Sequence, residues 1–231
     1  MVTYFCFHGG IMQILLLIII YLIFISLGLP DSVLGSSFPA IATNLSIRED
    51  MAGYIGLVVS GCTILSSLFS EKLIHRFSTK IVVSCSILLT ASGLVCFSLV
   101  RENTVWAFFL DAILLGLGAG AIDSALNNYV ACHYKAIHMN WLHCFWGVGA
   151  SVSPLIIAPF IDSANQSAGW NKGILVIAII QFCIAAVSFA TLPIWNKAYP
   201  EEKLEKEEEE KITHSKKELF KNPIFYLAML G

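Results

Sequence analysis

Charged residues are scarce in this 231-residue chain. Asp, Glu, Lys and Arg make up 13% of it, against 57% hydrophobic residues and a mean hydropathy of +0.76. Because soluble domains carry about 25% charged residues, this composition excludes most water-soluble classes. The few charges are also concentrated, since seven lysines and eight glutamates fall within residues 196–221. The rest of the chain is as poor in charge as membrane-spanning helices are.

The residue patterns of several common activities are missing. The sequence contains no H-E-x-x-H, G-x-S-x-G, C-x-x-C or P-loop motif, so metalloprotease, serine hydrolase, dithiol and ATPase chemistries lack their residues. A net charge of −2 offers no basic face to a nucleic acid. Five of the seven cysteines lie inside apolar runs and are predicted to be core residues rather than disulfide partners. We therefore expect a non-enzymatic protein without cofactor, metal or nucleic-acid partner.

Six apolar segments are each long enough, at about 20 residues, to cross a bilayer. The first is too long for one straight helix, and Gly28, Pro30 and Gly35 predict a break within the membrane because proline removes a backbone donor. Met1–Gly10 carries no Lys or Arg, so this segment is interpreted as a span rather than a signal peptide. The predicted spans are 11–42, 52–70, 81–99, 105–130, 139–161 and 173–195.

The spans and the charged segment predict a three-part organisation. Residues 1–195 form a six-helix transmembrane bundle, 196–222 a charged cytoplasmic linker, and 223–231 the truncated start of a seventh helix. This is the layout of one transporter half followed by the beginning of a second. The sequence therefore predicts either a missing C-terminal half or a second copy of the chain as partner.

The distribution of Lys and Arg predicts the orientation in the bilayer. With a cytoplasmic N-terminus, the short inner loops hold four basic residues and the outer loops three. The sequons at Asn44 and Asn165 both fall in loops on the outer side. We expect an integral protein of the plasma membrane with its N-terminus in the cytoplasm.

Carboxyl groups inside the spans are the first candidates for function. A charge in hydrocarbon costs several kcal/mol unless it is paired, protonated or in contact with water. Asp31 follows the predicted break, where it could bind a proton or solute, or cap the second half-helix. Asp123 lies in mid-span and is interpreted as a protonation site. Asp111, about 18 Å further along the same helix, is expected at the membrane interface.

Asp123 shares one helical face with small and polar residues. Gly116, Gly120, Asp123 and Asn127 are spaced 0, 4, 7 and 11, which places them on one side of the fourth span. Close helix packing explains the two glycines. It does not explain the carboxyl group, which must face protein or water.

A second polar face opens the fifth span. Asn and His there can donate and accept hydrogen bonds, and Trp141 or Trp146 offers a flat apolar surface to a sugar ring. A lone histidine near a helix end is equally often structural. The positions on this face, spaced 0, 3, 7 and 11, are Asn140, His143, Gly147 and Ser151.

Three of these segments together resemble the major facilitator superfamily, and within it the fucose-permease-like sugar:proton symporters. They are Gly28–Pro39, Gly116–Asn127 and Met139–Ala150, and the resemblance covers about residues 11–195. It implies an all-α membrane protein with the six-helix N-terminal bundle of a major facilitator fold, a central cavity, and alternating access by rocking of two halves.

The resemblance also implies roles for individual residues. Acidic residues in the family's first and fourth helices match Asp31 and Asp123, and its polar residues in the fifth helix match the neighbourhood of Asn140 and His143. The family's loop G-x-L-x-D-R-x-G-R-K corresponds to 71–80. Within that loop this chain has His and Ser where the motif has its Asp and second Gly.

The sequence and the resemblance together predict secondary active transport of a sugar or similar small polar solute, driven by protons. Asp31 and Asp123 are predicted to bind the coupling proton. An exporter of apolar compounds, a sodium-coupled carrier and a non-transporting truncated membrane protein stay open as alternatives. The residues predicted to contact the solute are Asn127, Asn140, Trp141 and His143.

Overall fold

The computed structural model of the chain describes residues 2–161, 163–165 and 168–198. The predicted seventh helix and all but the first residues of the predicted linker lie outside this part. Eight α-helices occur in the described ranges: α1 Val2–Asp31, α2 Val33–Leu45, α3 Met51–Phe77, α4 Thr79–Leu99, α5 Ala107–His133, α6 Ala136–Ile157, α7 Trp170–Ala190 and α8 Leu192–Ala198.

The chain divides into two compact units, Leu17–Leu192 and a second unit made of Met1–Leu16 with Pro193–Gly231. In the second unit the structure describes only the beginning of α1 and most of α8. Six stretches of the described residues are long and apolar enough to cross a membrane, which confirms the predicted number of spans. They are Gly10–Leu45, Met51–Phe77, Thr79–Leu99, Ala107–His133, Ala136–Phe160 and Trp170–Ala190.

The first span is broken where the sequence predicts a break. Helix α1 ends at Asp31 and α2 begins at Val33, with Ser32 between them at φ −93° and ψ −6°. Pro30 occupies the last turn of α1, where it interrupts the backbone hydrogen bonding. Ser32 makes no capping hydrogen bond to α2 through its side chain. Asp31 therefore stands at the end of the first half-helix.

Helix α5 packs closely against α3 and α4, and α4 also packs against α7. Gly116 and Gly120 allow the approach of α3, because a β-carbon at either would collide with a backbone carbonyl oxygen of that helix. Hydroxyl groups of α3 then reach backbone carbonyls of α5, as is common where small residues bring membrane helices together. The donors are Thr63 to Gly116 O (3.3 Å), Ser66 to Leu117 O (2.6 Å) and Ser67 to Gly120 O (3.2 Å).

A second close approach joins α1 to α6. A β-carbon on Gly28 would lie 2.8 Å from the backbone nitrogen of Ala150, and one on Gly149 would lie 3.2 Å from the α-carbon of Gly28. The two glycines thus let the backbones of the helices meet directly. This contact fixes the part of α6 that carries Trp146 beside the end of α1.

The turn between α3 and α4 contains an unusual serine. Ser78 has φ 68° and ψ 151°, and its backbone N–H donates to Ile74 O at 2.8 Å. An L-residue in this region costs about 1–3 kcal/mol, whereas glycine adopts it freely. The turn therefore holds Ser78 in a backbone conformation that glycine would adopt without this cost.

Candidate functional site

The helices of the Leu17–Leu192 unit surround a half-open cavity of about 620 Å³. Side chains from α1 to α6 line it, and most of them are apolar. Its lining includes no Lys and no Arg. The lining residues that carry polar groups are Asp31, Ser60, Thr63, Thr90, Asp123 and Trp146.

Asp31 enters this cavity from the end of α1. The indole Nε1 of Trp146 on α6 donates a hydrogen bond to its Oδ2 at 2.7 Å. The close α1–α6 approach at Gly28 brings the backbone of Trp146 beside α1 and so places the indole within reach. A donor fixed in this way orients the carboxylate and leaves its second oxygen for another partner.

Asp123 reaches the same cavity from α5. One helical turn further, Asn127 Nδ2 donates to Asp123 Oδ1 at 3.0 Å. Among the described residues, the buried Oδ1 of Asn127 has no hydrogen-bond partner. Asp31 and Asp123 both line this cavity. The cavity thus brings together the two carboxyl groups that were predicted 92 positions apart in the sequence.

His143 does not line the cavity. Its ring contacts the ring of Phe24 edge-on, with centroids 6.2 Å apart. The side chain is otherwise exposed.

Asn140 and Trp141 lie away from this group. Both are exposed and neither lines the cavity, and the ring of Trp141 contacts Phe145 at 6.1 Å. Trp146, rather than Trp141, lies on the cavity wall, because five residues along a helix turn the side chain by about 140°. A role for Asn140 and Trp141 in solute binding stays a prediction.

Three hydroxyl residues of the cavity were absent from the predicted set. Ser60 and Thr63 come from α3, where their spacing of three places them on one face, and Thr90 comes from α4. Gln181 Nε2 on α7 donates to Thr90 Oγ1 at 3.2 Å. The spacing of Ser60 and Thr63 was the available signal, but many serines and threonines in these spans bond only to their own helix.

Asp111 is fully buried inside the bundle. It lies about one turn from the start of α5, so its expected position at the membrane interface stays a prediction. The residue lies between Phe108 and Ala112 of α5, both of which belong to a buried apolar cluster that includes Phe97 of α4. Helix–helix packing, rather than distance from the helix end, determines its exposure.

Comparisons with known proteins agree with this architecture. The family model of the Major Facilitator Superfamily matches residues 16–231. The chain is 24% identical over 177 residues to the 4-hydroxybenzoate transporter PcaK of Acinetobacter baylyi, covering 74% of this chain and 39% of that protein. It is 25% identical over 195 residues to the synaptic vesicle glycoprotein 2C of Rattus norvegicus, covering 79% of this chain and 26% of that protein. The chain thus spans less than half the length of these relatives.

Proposed function

The chain belongs to the Major Facilitator Superfamily, a family of transporters, and we propose that it forms the solute-binding N-terminal bundle of a proton-coupled carrier for a sugar or similar small polar solute. The observation that carries this proposal is the cavity with two carboxyl groups, Asp31 and Asp123, and no Lys or Arg on its wall. Alternating access, with a second bundle or a second copy closing the path, would expose the cavity to each side in turn.

Asp123 is the proposed coupling site. A carboxylate in a largely apolar cavity is costly to enclose without water, and binding a proton removes that charge before the cavity closes. The amide of Asn127 suits both states, because its nitrogen donates to the ionised carboxylate and, after a flip, its oxygen accepts from the protonated one. Asp31 is the proposed second proton or solute contact, held by Trp146.

The charge of the wall argues for a neutral solute. A carboxylate solute would meet Asp31 and Asp123 with no Lys or Arg on the cavity wall to offset them. This differs from what the name of the Acinetobacter baylyi relative would suggest, since 4-hydroxybenzoate is an anion. The hydroxyls of Ser60, Thr63 and Thr90, with the face of Trp146, instead suit a molecule bearing several hydroxyl groups.

The proposal also includes the orientation and location of the protein. A plasma-membrane carrier with its N-terminus and the 196–222 linker in the cytoplasm agrees with the bias of basic residues. In the short loops, the inner side would carry Lys72, Arg76, Lys80 and Lys135, and the outer side Arg48, Arg101 and Lys172.

A panel of labelled solutes tests the proposed solute class. Proteoliposomes containing the full chain would be preloaded in turn with neutral monosaccharides, 4-hydroxybenzoate or a lipophilic cation, and exchange of external label would be measured. We expect exchange with at least one monosaccharide, and none with 4-hydroxybenzoate. Exchange of the aromatic anion, or of the lipophilic cation alone, would contradict the proposal, and empty liposomes provide the background.

Sodium coupling is the alternative that the same carboxylates would permit. Carboxylate oxygens are good ligands for hard cations as well as proton acceptors. The two couplings separate when accumulation by the same proteoliposomes is measured, because a sodium gradient at equal pH drives accumulation only in a sodium-coupled carrier.

A further inference from the structure

The carboxyl group of Asp111 has no role in the cavity described above. Within the described residues, neither of its oxygens has a hydrogen-bond partner, and the side chain is 0% exposed. Phe108, one turn before it on α5, and Phe97 of α4 make a tilted ring contact with centroids 4.8 Å apart, and both belong to the buried apolar cluster that includes Ala112. A buried carboxylate without a partner is strongly disfavoured, so the protonated acid is the form that fits this environment.

Asp111 is next to the cavity wall along α5. The next residue, Ala112, lines the cavity, and so do Leu115, one turn along α5, and Phe97 on α4. Asp123 stands 12 residues away, about 18 Å along the helix. A small separation of α5 from α4 would therefore connect Asp111 with the water of the cavity at a point distinct from Asp123.

Few ionisable side chains face this group from the helices packed against α5. Cys96 on α4 interacts with it electrostatically. On α3, Cys62 lies at Gly116 instead, and on α6 the side chain of His143 is exposed. Just beyond α4, Arg101 donates to the backbone carbonyls of Ser98 and Val100. Among the described residues, no cationic side chain is thus seen to pair with Asp111 and hold it ionised.

We propose that Asp111 is a further proton-binding carboxyl group of the transport cycle, besides Asp31 and Asp123. It holds its proton while α4 and α5 pack as described, and it releases the proton to water when the helices separate. The oxygen–hydrogen bond of the carboxyl group breaks in that step and the proton leaves as hydronium, with no other reactant needed. The transport role of Asp111 rests on the proposed function, whereas the protonation of its carboxyl group does not.

Infrared spectroscopy of the purified full chain in lipid nanodiscs tests the bound proton. At neutral pH we expect the Asp111→Asn variant to lose a C=O stretching band of a protonated carboxyl group in apolar surroundings. Asp50→Asn is the matched control, because Asp50 is exposed and paired with Arg48 at 2.7 Å, and it should lose no such band. An unchanged carboxyl band in Asp111→Asn would overturn the proposal.

Transport by the same variant tests the role in the cycle. We expect Asp111→Asn to keep solute exchange, which needs no net proton movement, and to accumulate about tenfold less solute under a proton gradient, the scale of a typical coupling between two sites. Asp111→Glu should restore accumulation. Accumulation equal to wild type, or loss of exchange together with accumulation, would overturn the role. Absence of exchange in the wild type would refute the proposed function, while the infrared band still decides whether Asp111 binds a proton.

Discussion

Replacing Asp123 by Asn should abolish solute accumulation driven by a proton gradient while solute exchange continues. Asparagine keeps the size of the side chain and can still bond to Asn127, which donates to Asp123 in the native chain, but it cannot take up a proton. The cavity is then permanently neutral at this position and can close without a proton. We expect accumulation to fall about tenfold or more, since the loss removes the coupling free energy between proton and solute.

The measurement is uptake by proteoliposomes with an imposed pH gradient, compared with exchange at equal pH. Asp50→Asn provides the control, since Asp50 lies at the surface in an exposed pair with Arg48 that contributes little to stability. Accumulation by Asp123→Asn at the wild-type level, with the same dependence on pH, would refute the assignment of Asp123.

Adding a methyl group at Gly149 should destabilise the bundle by about 1–3 kcal/mol. The β-carbon of Gly149→Ala would lie 2.9 Å from the carbonyl carbon of Ile25 and 3.2 Å from the α-carbon of Gly28, and it would collide with the carbonyl oxygen of Ile25. These are backbone atoms of α1 and cannot rotate away, so α1 and α6 must separate. Asp31 and Trp146 would then lose their hydrogen bond.

Gly147→Ala is the matched control on the same helix, because a β-carbon there has nothing within 4 Å. This change should raise stability slightly, by up to about 1 kcal/mol, since alanine favours a helix over glycine. Thermal unfolding in detergent, followed by tryptophan fluorescence, compares the two variants. Equal melting temperatures for Gly149→Ala and the wild type would show that the α1–α6 contact is looser than described.

The sequence predicted much of the fold because membrane spans are recognisable one at a time. Each needs its own run of apolar residues, so their number and order follow from composition. The break at Ser32 was also predictable, since Pro30 acts locally on its own helix. The lengths of the helices were harder to predict than their number. Helix α3 continues to Phe77, seven residues past the predicted end, because a helix extends beyond the hydrocarbon into polar surroundings.

The residues of the site were predictable only where the sequence of a single helix was enough to identify them. Asp31 and Asp123 stood out because a carboxyl group in an apolar run needs an explanation. The choice between Trp141 and Trp146 depends on how α6 is rotated against α1, and the glycine contact that fixes this rotation joins positions 28 and 149. Asp111 depends in the same way on the packing of α4 and α5. Such contacts between distant segments leave no periodic signal in either helix.

Proton coupling is measured most directly by recording the external pH of weakly buffered proteoliposomes while the transported solute is added. A proton-coupled carrier moves one or more protons inward with each solute molecule. We expect the medium to become more alkaline when the solute is added to wild-type vesicles. We expect no such change with Asp123→Asn vesicles. Solute entry into wild-type vesicles without any change in external pH would contradict proton coupling.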